Sequence, residues 1–401
     1  WVSFAKVYSS NYFIPKPAYS GINLYLKGSL IMSKLIPFKV DYIDNLGQGV
    51  SRQTDKITLL NRVLPGESGQ ASIQAEQSKI IFAKPYSFDT TSSYRVIPAC
   101  PHFDHCQGCH FLHTSYDYEQ QIKHLAYSKL FRKWLEPEAI NFVGSEKRDH
   151  YRTRIQLHYD VKKALLGYQT RDGILPVPNC KLPTLEIQRE LQELYHQNAW
   201  TKLLPKKQPL KGHLELSINN DKVEVVWNKA YAQGGFTQVN RPMNQKILHA
   251  LHQNIAQIAN EDTYIVDLFG GKGNLTKNLS FPTKVVDYLD KKLVDQELAS
   301  HQSYLSLNIY DKNAENILAN SLTRMPDILI VDPPRSGLKN LNDFIQALKP
   351  KHIIYISCSP NTLSRDLKSI ESQYKLTDLS FFDFFPSTYH LEAFAALSRL
   401  D

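Results

Sequence analysis

Four short apolar runs in the last third of the chain each stop at a polar turn of a different kind. They are Tyr264-Ile-Val-Asp-Leu-Phe269 before Gly270-Gly-Lys-Gly273-Asn274, Lys284-Val-Val-Asp-Tyr-Leu-Asp290, Asp327-Ile-Leu-Ile-Val-Asp332 before Pro333-Pro-Arg335, and Ile353-Ile-Tyr-Ile-Ser-Cys358. Runs of this length, alternating with helical patterns, predict a doubly wound, mostly parallel α/β sheet. Such sheets place ligands at the carboxyl ends of their strands. The glycines let the backbone turn tightly and approach a ligand, and an acid ending the second run suits ribose hydroxyls. A glycine turn alone is weak evidence, because dinucleotide, nucleotide and S-adenosylmethionine sites all use one.

The five cysteines divide into two groups. Cys100, Cys106 and Cys109 form a C-x5-C-x2-C cluster, Cys180 stands alone downstream, and Cys358 ends the last apolar run. That division implies four ligands and one nucleophile. Closely spaced thiolates closed by a remote fourth suit either structural zinc or an iron–sulfur cluster, with His102, His105 and His110 as further candidate zinc ligands. An odd cysteine count without a secretory signal argues for a reducing compartment, where disulfides are rare.

The 401 residues carry a net charge of +8, unevenly spread. Residues 1–250 hold 32 basic and 21 acidic side chains, whereas residues 251–401 hold 15 and 18. The basic excess therefore lies ahead of the α/β region, as in a module that holds a polyanion beside a neutral catalytic domain. No apolar run approaches the roughly 18 residues needed to cross a bilayer. Residues 1–37 are expected to be a poorly structured leader, and Met32, the first methionine, raises the question of whether residues 1–31 belong to the native protein. Short alternating runs with glycine turns predict a small OB-like β-barrel over residues 38–84. Residues 85–235 form an α+β central domain holding the cysteine cluster, with a helix near Tyr118–Leu135 and strands at Tyr151–Tyr159 and Lys222–Trp227. The α/β domain spans residues 236–401.

Five segments in register resemble the motifs of the RNA 5-methyluridine methyltransferases: Phe236-Thr-Gln-Val-Asn240, Asp267-Leu-Phe-Gly-Gly-Lys-Gly-Asn274, Asp332-Pro-Pro-Arg-Ser-Gly337, Ser357-Cys-Ser-Pro-Asn-Thr-Leu-Ser-Arg-Asp366 and Phe385-Pro-Ser-Thr-Tyr-His-Leu-Glu392. The cysteine pattern is similar to the four-iron four-sulfur (4Fe-4S) site of the branch that modifies 23S ribosomal RNA, and the barrel segment to that branch's TRAM domain. The resemblance implies a Rossmann-like methyltransferase domain, S-adenosylmethionine and a 4Fe-4S cluster as cofactors, and cluster ligands Cys100, Cys106, Cys109 and Cys180. It implies RNA as partner, with no obligate protein partner and no membrane, and a cytoplasmic location. Cofactor contacts fall on Phe269, Asn274, Asp290 and Asn308, with Gln238 shaping the pocket and Asp332 between cofactor and base. Two departures stand out: Gly270 where many relatives carry cysteine, and Gln107 for a common glycine.

The chemistry explains the residue types. Uracil C5 is a poor nucleophile until a thiolate adds at C6, a task suited to Cys358. After methylation the C5 proton must leave, and the resemblance gives that step to Glu392. A uracil in folded RNA has to be flipped out to be reached. Transfer RNA is an alternative substrate to ribosomal RNA. Two other classes remain: an amino-methyltransferase of the Asp-Pro-Pro type, which has no need for Cys358, and a non-catalytic iron–sulfur RNA-binding protein. Which uridine is modified, what the cluster does and the oligomeric state are not written in these motifs.

Overall fold

The computed structural model describes residues 34–219, 221–229, 238–290 and 294–400. The expected leader lies outside these residues up to Ser33. Five strands, β1 (Leu35–Ile43), β2 (Gln48–Ser51), β3 (Ile57–Asn61), β4 (Ser68–Glu76) and β5 (Ile80–Thr90), close into a barrel in the order β1-β2-β3-β5-β4. Alternation drives the closure, since every second residue of β1 from Ile36 to Val40 faces a core that includes Phe38, Leu60 and Ala71. The barrel begins three residues before Phe38 and runs past the expected end at residue 84.

The segment after the barrel holds a helix, Tyr116–Ser128, whose first turn is capped by the Ser115 side chain accepting from the Tyr118 amide. It ends seven residues short of Leu135, and the chain continues in turns to Trp134. The helix packs in two directions. Ile122 joins the barrel core, whereas Tyr127 and the following Phe131 join the core of the α/β sheet. Strands β7 (Arg154–Asp160), β8 (Leu165–Thr170), β9 (Gly173–Leu175), β10 (Lys211–Asn219) and β11 (Lys222–Trp227) form a separate antiparallel sheet in the order β11-β10-β7-β8-β9. Its core, built on Tyr159, Trp200 and Leu214, also contains Cys109 and Cys180.

The third sheet has eight strands: β6 (Asn141–Val143), β12 (Ile265–Leu268), β13 (Thr283–Asp287), β14 (Gln302–Ser306), β15 (Ile328–Val331), β16 (His352–Ser357), β17 (Tyr374–Phe382) and β18 (Glu392–Arg399). Their order is β14-β13-β12-β15-β16-β18-β17-β6. Strands β12 to β16 are mutually parallel and β18 is antiparallel to both neighbours. Strand order reverses at β12, the switch point where open sheets bind ligands. The central strands β12 and β15 are buried at every position, the pattern of strands covered on both faces. Strand β6 comes from the segment before the α/β region, yet it pairs parallel with β17, Asn141 opposite Ser380.

Two expectations about boundaries are corrected. The second strand stops at Asp287, not Asp290, and the segment after the glycine turn is a run of turns from Gly271 to Asn278 rather than a helix. Gly271 and Gly273 both have positive φ, which no α-helix admits.

Candidate active site and cysteine cavity

Three neighbouring strands bring one thiol and two carboxyls to one edge of the sheet. Asp332 follows the last residue of β15, Cys358 follows the last residue of β16, and Glu392 opens β18. Ser357 pairs with Ala393 in the antiparallel β16–β18 ladder, so one step further along that register Cys358 faces Glu392. Burial pushes the Cys358 thiol up to about 12, the Glu392 and Asp332 charges add to the rise, and Arg335 opposes it. Glu392, only 5% exposed, is held well above the ordinary carboxylate range by burial and by Asp332, again opposed by Arg335. Burial also lifts Asp332 to about 7. The free site therefore keeps the proton on the thiol at neutral pH, and burial biases Glu392 toward its neutral form.

The loop after Asp332 is fastened from the helix Pro360–Lys368 that follows Cys358. The Asp366 carboxylate accepts from the Leu338 amide at 2.7 Å and from the Tyr355 hydroxyl at 2.7 Å, and Arg365 donates to the Ser336 carbonyl at 2.8 Å. The Tyr310 hydroxyl reaches the Gly337 carbonyl at 3.0 Å from the opposite side. Arg365 and Asp366, which close the motif that begins at Ser357, thus hold the Asp-Pro-Pro-Arg turn together with Tyr310, a role that the motif alone did not assign to them.

At the end of β12, Asp267 is fully buried; its Oδ2 accepts from Thr276 at 3.1 Å and its Oδ1 has no partner. Burial, outweighing the Thr276 hydrogen bond, raises it to about 8, with Asp332 and Asp287 adding to the rise. Phe269 next to it has a φ of 60°, strained for a residue with a Cβ, and its ring lies 5.5 Å from that of Tyr310. Gly270 is required sterically, because a Cβ there would stand 2.7 Å from Val285 Cγ1 and 2.9 Å from the Asp267 carboxylate. The Asp287 carboxylate accepts from the Gly271 amide at 3.0 Å, so the strand-end acid also shapes the glycine turn. Asn274, Asp290 and Asn308 lie exposed near this end of the sheet, with the Asn308 side chain donating to Asp311 at 2.6 Å, and Gln238 is half-buried. A carboxyl raised by burial and by two neighbouring acids, with one oxygen orphaned, suits a ligand bearing cationic ammonium and sulfonium groups.

The other four cysteines line a single cavity of about 370 Å³, together with His102, Arg152 and Tyr168. Burial is the main reason why Cys106, Cys109 and Cys180 are held above the ordinary thiol value, and neighbouring thiols add to it in each case. The Tyr168 hydroxyl lies 3.7 Å from Cys180 Sγ, and His102 Nε2 is buried without a partner. Among the described residues no three His, Cys, Asp or Glu side chains converge tightly enough for one metal ion. His105 is not among the residues lining this cavity, and His110 points its ring at Tyr389, 4.7 Å away. No helix among the described residues is long and apolar enough to cross a membrane.

Comparison with known proteins agrees with this geometry. The family described as tRNA (Uracil-5-)-methyltransferase matches residues 323–400. A Shewanella halifaxensis protein named 23S rRNA (uracil(1939)-C(5))-methyltransferase RlmD is 26% identical, the match covering 91% of this chain and 96% of that protein. Its Vibrio parahaemolyticus namesake is also 26% identical, over 90% and 95%. Among solved structures, the Pyrococcus abyssi tRNA (uracil-54, C5)-methyltransferase in complex with S-adenosyl-L-homocysteine matches with a TM-score of 0.67 at 18% identity, covering 90% of this chain and 99% of that one. The fold is that of an S-adenosylmethionine-dependent methyltransferase. Within that class, the proteins this chain is similar to, by family model and by sequence, are the RNA uracil-C5 methyltransferases.

Proposed function

We propose that this protein methylates C5 of a uridine in 23S ribosomal RNA, with Cys358 as nucleophile and Glu392 as base. The observation that carries the reading is the β16–β18 register, which sets Cys358 opposite a buried carboxyl. S-adenosylmethionine, when bound, supplies an electrophilic methyl group. Asp267, Phe269 and Asp332 are the residues best built to hold it, with Gln238, Asn274, Asp290 and Asn308 around them. Asp287, rather than Asp290, is the acid that ends its strand.

Cys358 loses its proton and forms a sulfur–carbon bond at C6 of the flipped base, leaving C5 as an enolate carbon. Once C5 carries the methyl group, Glu392 as carboxylate removes the C5 proton. The electron pair then re-forms the C5–C6 double bond and expels the Cys358 thiolate. Arg335, which opposes the rise in both pKa values, favours the ionised forms that these steps require.

The four-cysteine cavity supports a 4Fe-4S cluster better than zinc. Thiols arranged around a space, without meeting at one point, match a centre in which each thiolate binds its own iron. Cys100, Cys106, Cys109 and Cys180 would hold it, and its role would be to fold the central segment and help position RNA. The barrel of β1 to β5 fits a TRAM-type RNA module.

Anaerobically purified protein should transfer label from radiolabelled S-adenosylmethionine to unmodified 23S ribosomal RNA as 5-methyluridine, and Cys358→Ala should not. Label appearing only in transfer RNA would move the substrate. Label in an amino-methylated base would favour the Asp-Pro-Pro amino-methyltransferase class, and RNA binding without transfer would leave a non-catalytic role.

A further inference from the structure

The loop between β17 and β18, which delivers Glu392, is held mainly by residues that lie outside the α/β region of the sequence. Ser387 sits at its centre with a φ of 69°, a left-handed conformation unusual for a residue with a Cβ. Its carbonyl accepts from two successive amides, His110 at 2.6 Å and Phe111 at 3.1 Å, which directly follow Cys109. Its own amide donates to the buried Glu119 carboxylate at 2.6 Å, and its hydroxyl accepts from Arg148 at 3.1 Å. On either side, the Tyr151 hydroxyl donates to the Pro386 carbonyl at 3.2 Å and the Tyr127 hydroxyl to the Tyr389 carbonyl at 2.7 Å.

We infer that the cysteine-bearing segment positions the base: the amides after Cys109, with Glu119, Tyr127 and Tyr151, brace the Ser387 loop and so aim Glu392 at the substrate. The inference rests on the proposed reaction and gives the cysteine module a part in the proton-removal step. The left-handed backbone at Ser387 has an intrinsic cost, so it persists only while its surroundings over-determine it. Six donors and acceptors that hold the loop come from residues 110–151. Because His110 is bonded covalently to Cys109, fixing that cysteine fixes the amide that holds the loop. The role assigned to these residues is positioning, exerted through Glu392.

The test uses full-length protein carrying both Tyr127→Phe and Tyr151→Phe, changes that remove two hydroxyls from the loop and keep both rings. The control is Tyr195→Phe, which removes a hydroxyl bonded to the Leu166 carbonyl at 2.7 Å in the separate antiparallel sheet. In the double variant kcat should fall about tenfold with the RNA KM within about twofold, as expected when a catalytic group is misplaced after binding. With C5 proton removal slowed, a covalent protein–RNA species that survives denaturation should accumulate. Hydrogen exchange of residues 385–391 should also quicken in the double variant and in Cys109→Ser, while the control leaves it unchanged. A kcat loss no larger than that of the control, absence of the adduct, or unchanged exchange would each overturn the brace. Wild-type protein that makes no 5-methyluridine would instead remove the proposed reaction, and exchange alone would then decide whether the loop is held from the cysteine segment.

Discussion

The two thiol sites make opposite use of the same side chain. Cys358 has no thiol beside it; two carboxyls, Glu392 and Asp332, resist its ionisation, and Arg335 opposes them. The other four cysteines stand beside one another and near cations, so that Arg62 and Arg152 oppose the rise at Cys106. Burial raises the pKa in both places, and the neighbours decide what relieves it. At Cys358 the natural outcome is a protonated thiol until substrate arrives; in the cavity the proposed cluster would relieve the burial by ligation, removing four protons at once. A cysteine's role is therefore legible from the charge of its surroundings more than from its burial.

The comparison predicts separable losses. Cys358→Ala should lower transfer by at least about a thousandfold while leaving bound iron and the thermal midpoint unchanged, because it removes a nucleophile and no ligand. Glu392→Gln should slow turnover by about 10² to 10³, since an amide cannot accept the C5 proton, and should accumulate the denaturation-stable RNA adduct seen on a gel. Cys109→Ser should reverse the pattern: visible absorbance from bound iron is lost and the thermal midpoint drops by roughly 5 °C, while any transfer that survives still requires Cys358. Equal losses of iron in Cys358→Ala and Cys109→Ser would erase the distinction.

The smallest effect is on pH. The reactive form of Cys358 is the thiolate and that of Glu392 is the carboxylate, and both groups are shifted upward. The fraction ready to react is therefore low at pH 6.5 and grows with pH, so kcat/KM should rise at least about fivefold by pH 8, below the thiol's own value of about 12. A profile that is flat or falling over this range would mean that bound substrate, not the free site, sets the protonation states.

Much of the catalytic sheet could be read from sequence because its information is local. Buried runs such as Ile328–Val331 and their polar stops, Asp332 and Cys358, give strand, boundary and strand-end residue together. The meeting of Cys358 with Glu392 needed the ladder register, which no local pattern encodes. The misplaced end of β13 has a plain cause: Tyr288 and Leu289 continue the apolar pattern, yet pairing with β14 stops at Asp287 opposite Ser306. The helix expected after the glycine turn was lost to two positive φ angles in residues chosen for backbone freedom. Gly270, noted only as a departure, proves to be demanded by Val285 and Asp267. The cysteine spacing disclosed the cavity but not its link to Ser387, because a carbonyl that accepts from His110 and Phe111 leaves no trace in side-chain identity.

Strand β6 bears on how the protein comes into being. Its partner β17 is synthesised more than two hundred residues later, Asn141 waiting for Ser380. During vectorial synthesis the barrel and the antiparallel sheet can form early, whereas the edge of the catalytic sheet stays open until the β17–β18 hairpin emerges. Glu392 lies in that hairpin, so closure of the sheet edge and arrival of the proposed base coincide. A nascent chain has every chance to assemble the half that carries its four clustered cysteines before it holds any capacity to react.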